Sequence, residues 1–495
     1  MKPDELGAYL LTIRNVIAND LRPGLKSVHL NAAAGSIVIL LDRLVTTLKT
    51  GDGAAAARLG DWKEIAAELE RLGLGRGAGA PVSGAAATPY EALESRYAAV
   101  QKDIGRGAAF DRLTVKLASH DPATMQWYAK SVAALVEFAE AGEPQVPAPR
   151  APAGSAEPAD ESDVLRAKLS AYLVRRFPGL PKDPIARFAI APGGHVKQTV
   201  IFSLLPNEIL PTRLVLRRDL SNSITGTTVI DEFPIIERAF ALGLPVPKPI
   251  FLEKDREPLD GAFMVMTEVT DAVGAGTYFP EERRLAPRTV GPEYGRDVAS
   301  VLARLHSGTA RKGVKGIDFT EQVKTHYASW CALPSPPFSV SMELSYAWLL
   351  SHPLPPDRPQ CFVHGDIGSH NIMVRAGRLV ALLDWELAAD GDPAVDLAQC
   401  RMMLLPDTMP WPEFKQEYIA AGGDPVACDE SAVAYYCVWT YLKHGLMNAT
   451  LRNLYLQGGR DDLVAALVGG HYFHRLMQYQ CRALQIAVDS VRGAS

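Results

Sequence analysis

The chain has 495 residues, 47% hydrophobic and 22% charged, which is room for about three domains or two large ones with sizeable apolar cores. A formal net charge of -5 gives no basic face for nucleic acid. Its six cysteines all lie in the C-terminal third and none forms a CxxC pair. That argues against a zinc site or a disulfide framework, and for free thiols in a reducing, cytoplasmic setting.

The start, MKPDELGAYLLTIRNVIAND, is amphipathic and acidic, unlike a secretory leader. Leu6, Leu10, Ile13, Val16, Ile17 and Leu21 recur at helical spacing behind a cap at Asp4. Ile37, Leu40, Leu41, Leu44, Val45 and Leu48 mark a second helix, too interrupted by Asp42 and Arg43 to span a membrane. A third, short helix runs from about Trp62 to Leu72 and ends at Gly73. GRGAGAPVSGAAATP reads as a flexible loop, and helices resume near Tyr90. In DPATMQWYAKSVAALVEFAEAG, Asp121 caps, Pro122 takes the first helical position and Gly142 closes. Residues 1–142 thus read as an all-α domain without a catalytic constellation, with His29 and His120 as isolated surface or cap residues. Such a domain suits packing, a protein partner or an oligomer contact. Residues 143–162, rich in Pro, Ala and acids, read as an extended linker.

A helix, Val164 to Phe177, then precedes the β-like runs ARFAIAPGGHVKQTVIFSLL and TRLVLRRDL. The helix VIDEFPIIERAFALG closes at Gly243, with Pro234 tolerable only in a first turn. Two more runs, PIFLEKD and AFMVMTEV, flank the turn-like REPLDG. Strands with a single inserted helix predict a small antiparallel α+β lobe. From about Glu293 the chain reads as mainly helical, apart from one segment.

That segment is VHGDIGSHNIMV, Val363 to Val374. Cys361-Phe362-Val363 is a short strand that delivers His364, Gly365 and Asp366 to a loop. Ile372-Met373-Val374 and LVALLDW form a hairpin about the RAGR turn. Asn371 and Asp384 then fall opposite one another within a register step or two, beside Asp366, with cross-strand Cβ atoms roughly 5 Å apart. An amide oxygen and a carboxylate at that spacing can share magnesium, and Asp366 is free to deprotonate a hydroxyl that attacks phosphorus. The competing reading is a tight turn in which Asp366 and Asn371 satisfy backbone amides.

His364-Gly365-Asp366, Asn371, Asp384-Trp385-Glu386, Gly391-Asp392-Pro393 and Asp396-Leu397-Ala398 together resemble the aminoglycoside phosphotransferase family. LARLH, Leu302 to His306, resembles the helix before its catalytic loop. The resemblance covers roughly residues 163–495 and is nearest to the kinase-like domains associated with acyl-CoA dehydrogenases. It implies a bilobal protein-kinase-like fold behind the helical domain, with an ATP-binding lobe at 163–270 and a catalytic and acceptor-binding lobe at 271–495. It implies a phosphotransferase with an alcohol acceptor, Asp366 as base, Asn371 and Asp384 as magnesium ligands, and His364 bracing the loop. Asp396 would anchor helix and loop, Glu386 and Asp392 are equally well structural, and His370 is given no role. Strand alternation turns Val215 and Arg217 to one face, toward adenine and phosphates. Arg217 stands where the family often has Lys, with Arg218 as fallback. Glu232 would pair with that cation, or be a helix-start acid. Gly193 and Gly194 would let the backbone approach the phosphates, and Lys197 would touch a phosphate or face solvent. Glu268 and Val269 would form the hinge at the adenine edge.

The chain has no GxxxxGK[ST], GxSxG or HExxH motif. HGD for HRD and DWE for DFG disfavour a protein kinase. The alternative is an inactive kinase fold acting as a scaffold or nucleotide-sensing module. The acceptor is expected against the C-terminal helices, where Tyr327, Trp330, Tyr436, Trp439 and His444 either line an apolar pocket or belong to the core. An apolar hydroxyacyl or hydroxy-acid acceptor fits those aromatics better than an aminoglycoside does.

Overall fold

The structure is a computed structural model and describes residues 10–24, 28–74, 89–105, 107–141, 159–191, 197–220, 227–285, 287–310, 319–334, 336–337, 339–459 and 463–492. Asp4, Leu6, the loop 75–88, Gly142, residues 143–158 of the expected linker, Gly193 and Gly194 lie outside them.

Residues 10–24 are helical, followed by α1 (Val28–Arg71), α2 (Pro89–Ile104), α3 (Ala108–Ala118) and α4 (Pro122–Ala141). The two helices expected over 37–72 are one: α1 runs unbroken through Gly51, Gly53 and Gly60. Ala54 to Ala57, the best helix formers, sit between those glycines and offset their cost of about 1 kcal/mol each. As expected, Asp121 caps α4, its carboxylate accepting from the Thr124 N–H at 2.9 Å.

The next helix, α5, begins at Ala159, earlier than expected, and ends at Arg176. It covers one face of a five-stranded antiparallel sheet of order β1-β2-β3-β5-β4. The strands are β1 (Ile185–Ile190), β2 (Lys197–Leu204), β3 (Arg213–Asp219), β4 (Pro249–Glu253) and β5 (Phe263–Thr267). Leu165, Leu169, Tyr172 and Leu173 are spaced as one helical stripe. They meet Val200, Phe202 and Leu204 of β2, Leu214 and Leu216 of β3, and Phe263 and Val265 of β5. Each fully buried Phe or Leu here contributes roughly 1.5–3 kcal/mol. The period of two turns Val215, Arg217, Met264 and Met266 to the opposite face. There α6 (Val229–Ala241) packs with Phe233 and Ile236. α6 starts in a capping box: Thr228 accepts from the Asp231 N–H, and Asp231 accepts from the Thr228 N–H. Pro234 sits inside the helix, past the first turn where it was expected to be tolerable.

The large lobe holds α7 (Tyr294–Gly308), α8 (Phe319–Cys331), α9 (Val340–Ser351), α10 (Ala394–Gln399), α11 (Glu430–Leu456) and α12 (Phe473–Arg492). It also carries two small sheets. β6 (Val273–Gly274), β8 (Ile372–Arg375) and β9 (Arg378–Leu382) form one, and β7 (Cys361–Val363) pairs with β10 (Ala389–Gly391). Its apolar core is continuous with that of the N-terminal helices, whereas the five-stranded sheet and α5 have their own. Trp127 and Tyr128 on α4 are both fully buried. Trp127 Nε1 donates to the Ile65 carbonyl at 3.0 Å, and Tyr128 Oη to the Leu344 carbonyl on α9 at 2.8 Å. Phe110 of α3 stacks on Tyr327 of α8, centroids 4.4 Å apart. The fold is therefore α+β and bilobal, with helices added to the large lobe. No helix among the described residues is long and apolar enough to cross a membrane. All six cysteines are free.

Candidate functional site

The loop after β7 is held by a buried carboxylate. Asp396, at the start of α10, accepts from the His364 and Gly365 N–H groups at 2.8 Å each, and from His306 Nε2 at 3.1 Å. Burial pushes its carboxyl upward, but the His306 bond and the His306 and His364 imidazoles outweigh this and hold it below the ordinary range. One turn on, Gln399 accepts from the Ile367 N–H and donates to the Gly365 carbonyl, both at 2.8 Å. Gly365 has φ +79°, and a Cβ there would sit 2.3 Å from the Leu387 carbonyl oxygen, so only glycine fits. His364 Nδ1 accepts from the Asp366 N–H at 3.3 Å, so Nε2 carries the proton donated to the Leu383 carbonyl at 3.0 Å. His364 thus ties this loop to the end of the hairpin, as expected.

The hairpin register sets Asn371 and Asp384 at the same end of the ribbon. Ile372 pairs with Leu382, and the Leu383 N–H reaches the Asn371 carbonyl at 2.8 Å, so Asp384 follows one residue beyond. The turn is tight because Ala376 and Gly377 both adopt positive φ, 49° and 78°. Asn371 Nδ2 donates to Asp366 Oδ2 at 2.9 Å and to the Asp366 carbonyl at 3.0 Å. Its Oδ1 has no partner among the described residues. Asp384 has φ +62°, a strained backbone for a non-glycine residue of the kind that gathers at functional sites. His370, given no role from sequence, reaches Asp366 Oδ2 through Nε2 at 3.3 Å. Burial pushes the Asp366 carboxyl up, but the His370 bond and the nearby imidazoles of His370, His444 and His364 hold it well below the carboxylate range.

Across the cleft, Arg217 on β3 donates to Glu232 Oε1 of α6 at 2.7 Å and to Asp384 Oδ1 at 3.1 Å. Burial lowers the guanidinium, but the charges of Glu232 and Asp384 prevail and hold it above its ordinary value. The fully buried Glu232 is pushed up by desolvation, against Arg217 and Lys197. Arg218 turns away: its Nε donates to Gln198 at 2.7 Å and its Nη1 bonds the Leu259 carbonyl. Lys197 neither faces solvent nor stands free for a phosphate. Its ammonium is buried, 2.6 Å from Glu386 Oε2 and 3.6 Å from Glu232 Oε2. The carboxylate of Glu386 stabilises the buried charge there. Two cations thus face three carboxylates, Glu232, Asp384 and Glu386.

At the edge between the lobes, the Glu268 N–H bonds the Arg213 carbonyl at 3.1 Å, and its carboxylate takes two bonds from Arg213 at 2.9 and 3.0 Å. Its donor is already used, whereas Val269 makes no hydrogen bond with the described residues. Val215, partly buried, lies on the Arg217 face of the sheet and packs against the large core.

The aromatic pocket largely dissolves into core. Trp330 is buried and donates to Glu343 at 2.9 Å, and Tyr327 stacks on Phe110. Tyr436 and Trp439 pack around Phe319, with centroids at 5.2 and 4.9 Å. Of the five expected residues, His444 alone reaches the Asp366 cluster. Its Nδ1 lies 3.0 Å from Tyr278 Oη, and the Tyr278 ring contacts His370 at 4.8 Å. Burial lowers His444 to about 4, against the pull of Asp366. Tyr278, Gln399 and the Lys197–Glu386 pair escaped the sequence reading. Gln399 had a signal, three residues after Asp396 on one helix face. Tyr278 and Glu386 touch partners more than 160 residues away and had none.

With this geometry in hand, kinship follows. The model of the phosphotransferase enzyme family, APH, matches residues 207–433 of the chain. The chain is similar to acyl-CoA dehydrogenase family member 11 of Mus musculus, 27% identical over 280 residues, 54% of this chain and 35% of that protein. It is 28% identical to family member 10 of Mus musculus over 244 residues, 46% of this chain and 22% of that protein. The chain thus spans about a third or less of the length of these curated relatives. Among solved structures, the choline kinase LicA of Streptococcus pneumoniae superposes with TM-score 0.45 at 14% identity, covering 63% of this chain and 98% of that one.

Proposed function

We propose that the chain is an ATP-dependent small-molecule kinase that transfers the γ-phosphoryl group to a hydroxyl of its acceptor. One observation carries the reading: the Asn371 amide nitrogen clamps Asp366 while its oxygen has no partner among the described residues, and the Leu383 N–H on the Asn371 carbonyl puts Asp384 next along the hairpin. Asp366, held ionised, takes the hydroxyl proton as that oxygen bonds to phosphorus and ADP departs. Asn371 Oδ1 and the Asp384 carboxylate fit magnesium, which when bound neutralises phosphate charge. Arg217, oriented by Glu232, meets the phosphates, and Lys197 adds a second positive charge behind it. Val215 packs on adenine, and Val269 offers the hinge N–H that Glu268 has already spent. In this reading residues 163–270 hold nucleotide, and 271–495 hold the catalytic groups and the acceptor.

The curated relatives are acyl-CoA dehydrogenase family members, so hydroxylated acyl-CoAs and hydroxy acids lead the acceptor panel, with amino-alcohols as the contrast. ADP release that depends on one acceptor class and disappears in Asp366→Asn supports the proposal. Nucleotide binding without ADP release from any acceptor would make the chain an inactive nucleotide-sensing fold instead.

A further inference from the structure

A cavity of about 870 Å³ opens in the large lobe, and none of the Asp366 cluster lines it. That volume falls within the roughly 300–1,000 Å³ of small-molecule sites. Its wall carries three arginines from three parts of the chain: Arg284 of the short helix Pro280–Leu285, Arg401 just after α10, and Arg482 on α12. The one acid on the wall among the described residues, Asp407, is already taken, because the buried Arg283 bonds both of its carboxylate oxygens. The wall therefore carries a surplus of positive charge.

We infer that this cavity binds the oxyanion, phosphoryl or carboxylate, of a small organic molecule. Arg284 donates from Nη2 to the Pro406 carbonyl at 3.2 Å and has no carboxylate partner among the described residues. The Arg482 guanidinium lies 5.3 Å from the centroid of the Tyr479 ring, which also lines the cavity. Glu430 accepts from Arg401 at 2.8 Å and from Trp411 Nε1 at 3.0 Å, and it also pairs with Lys415. One carboxylate thus fixes two cations and an indole, and the group keeps a net positive charge. A guanidinium offers a rigid planar fork of donors that matches two oxygens of a carboxylate or phosphate. Leu405 and Ile486 supply an apolar side for the body of the ligand. Arg283 stiffens the wall from behind, since it also bonds the Thr277 and Tyr278 carbonyls at 3.0 and 3.1 Å and the Met403 carbonyl. A wall braced in this way gives up little freedom when a ligand arrives. The site goes beyond the phosphotransfer reading and stands apart from it: the cleft cations Arg217 and Lys197 do not line the cavity.

The test uses the full chain and three probes of similar size: phenyl phosphate, benzoate and benzamide. Calorimetric titration reads binding to the parent, Arg284→Gln, Arg482→Gln and the cleft variant Arg217→Gln, and circular dichroism verifies each fold. Emission of Trp411, taken as the difference between the parent and Trp411→Phe, reports occupancy at the wall itself. The parent should bind an anion with a change in that emission, and whether phenyl phosphate or benzoate binds tighter identifies the group. Benzamide should bind at least about ten-fold more weakly. Arg284→Gln and Arg482→Gln should each lose on the order of 10- to 100-fold in affinity, and Arg217→Gln should leave the affinity reported by Trp411 unchanged. A parent that binds neither anion would overturn the inference, as would benzamide binding as tightly as the anions. Binding that Arg217→Gln abolishes and both wall variants leave intact would overturn it too, and would place the anion among the cleft cations. Wall binding in a chain that releases no ADP with any acceptor would uphold this site and refute the kinase reading alone.

Discussion

Replacing Asp396 tests how the catalytic loop is held. Its fully buried carboxylate takes two backbone N–H bonds at 2.8 Å and the His306 bond at 3.1 Å. Asp396→Ala leaves three buried donors without an acceptor, each costing about 1–3 kcal/mol. With partial relaxation the large lobe should lose about 3–6 kcal/mol, and Asp396→Asn roughly half, since one amide oxygen still accepts while the NH₂ opposes a donor. Urea unfolding of parent and variants, followed by tryptophan fluorescence, reads this directly, and ADP release should fall with it as Asp366 shifts. Asp396 titrates below its ordinary value, so its stabilising effect is complete above about pH 4 and drains as pH falls through the folded value. The parent should therefore lose stability more steeply than Asp396→Asn below pH 4. An Asp396→Ala variant within 1 kcal/mol of the parent, or parallel acid curves, would refute the reasoning.

Asp366→Asn should cut turnover by about 10²–10⁴-fold while an ATP titration still saturates; near-parental turnover would remove Asp366 as base. Asp384→Ala should abolish magnesium-dependent nucleotide binding, and calorimetry with and without magnesium checks this. Gly365→Ala forces a Cβ against the Leu387 carbonyl and should destroy activity even where the chain folds, as circular dichroism will tell. Burial holds His326 and His444 down to about 4, so the unfolded chain binds more protons between there and about 6.5. The contribution of these two rings to stability should decline as pH drops through that window and change no further below it, while histidine NMR titration should show both rings still neutral near pH 6.

What was legible in the sequence was local. The hairpin register followed from one turn and two alternating runs, so Asn371 and Asp384 could be placed together. Alternation along TRLVLRRDL separated Arg217 from Arg218, and the structure sends them to opposite sides. What stayed hidden was set by distance in the chain. Lys197 looked like a loop cation because Glu386, 189 residues on, is what buries it. Tyr327, Trp330, Tyr436 and Trp439 have the spacing of a pocket and of a core alike, and only neighbouring helices decide. The continuity of α1 was missed because glycines punctuate in short contexts, whereas four consecutive alanines override them.

The shared apolar core of the N-terminal helices and the large lobe means that the part carrying the chemistry is not a self-sufficient body. A gene shortened to begin at the linker would strip Tyr128 from Leu344 and Phe110 from Tyr327, leaving an oily wall facing water. Such a fragment should precipitate on expression, and adding residues 1–142 in trans should rescue it.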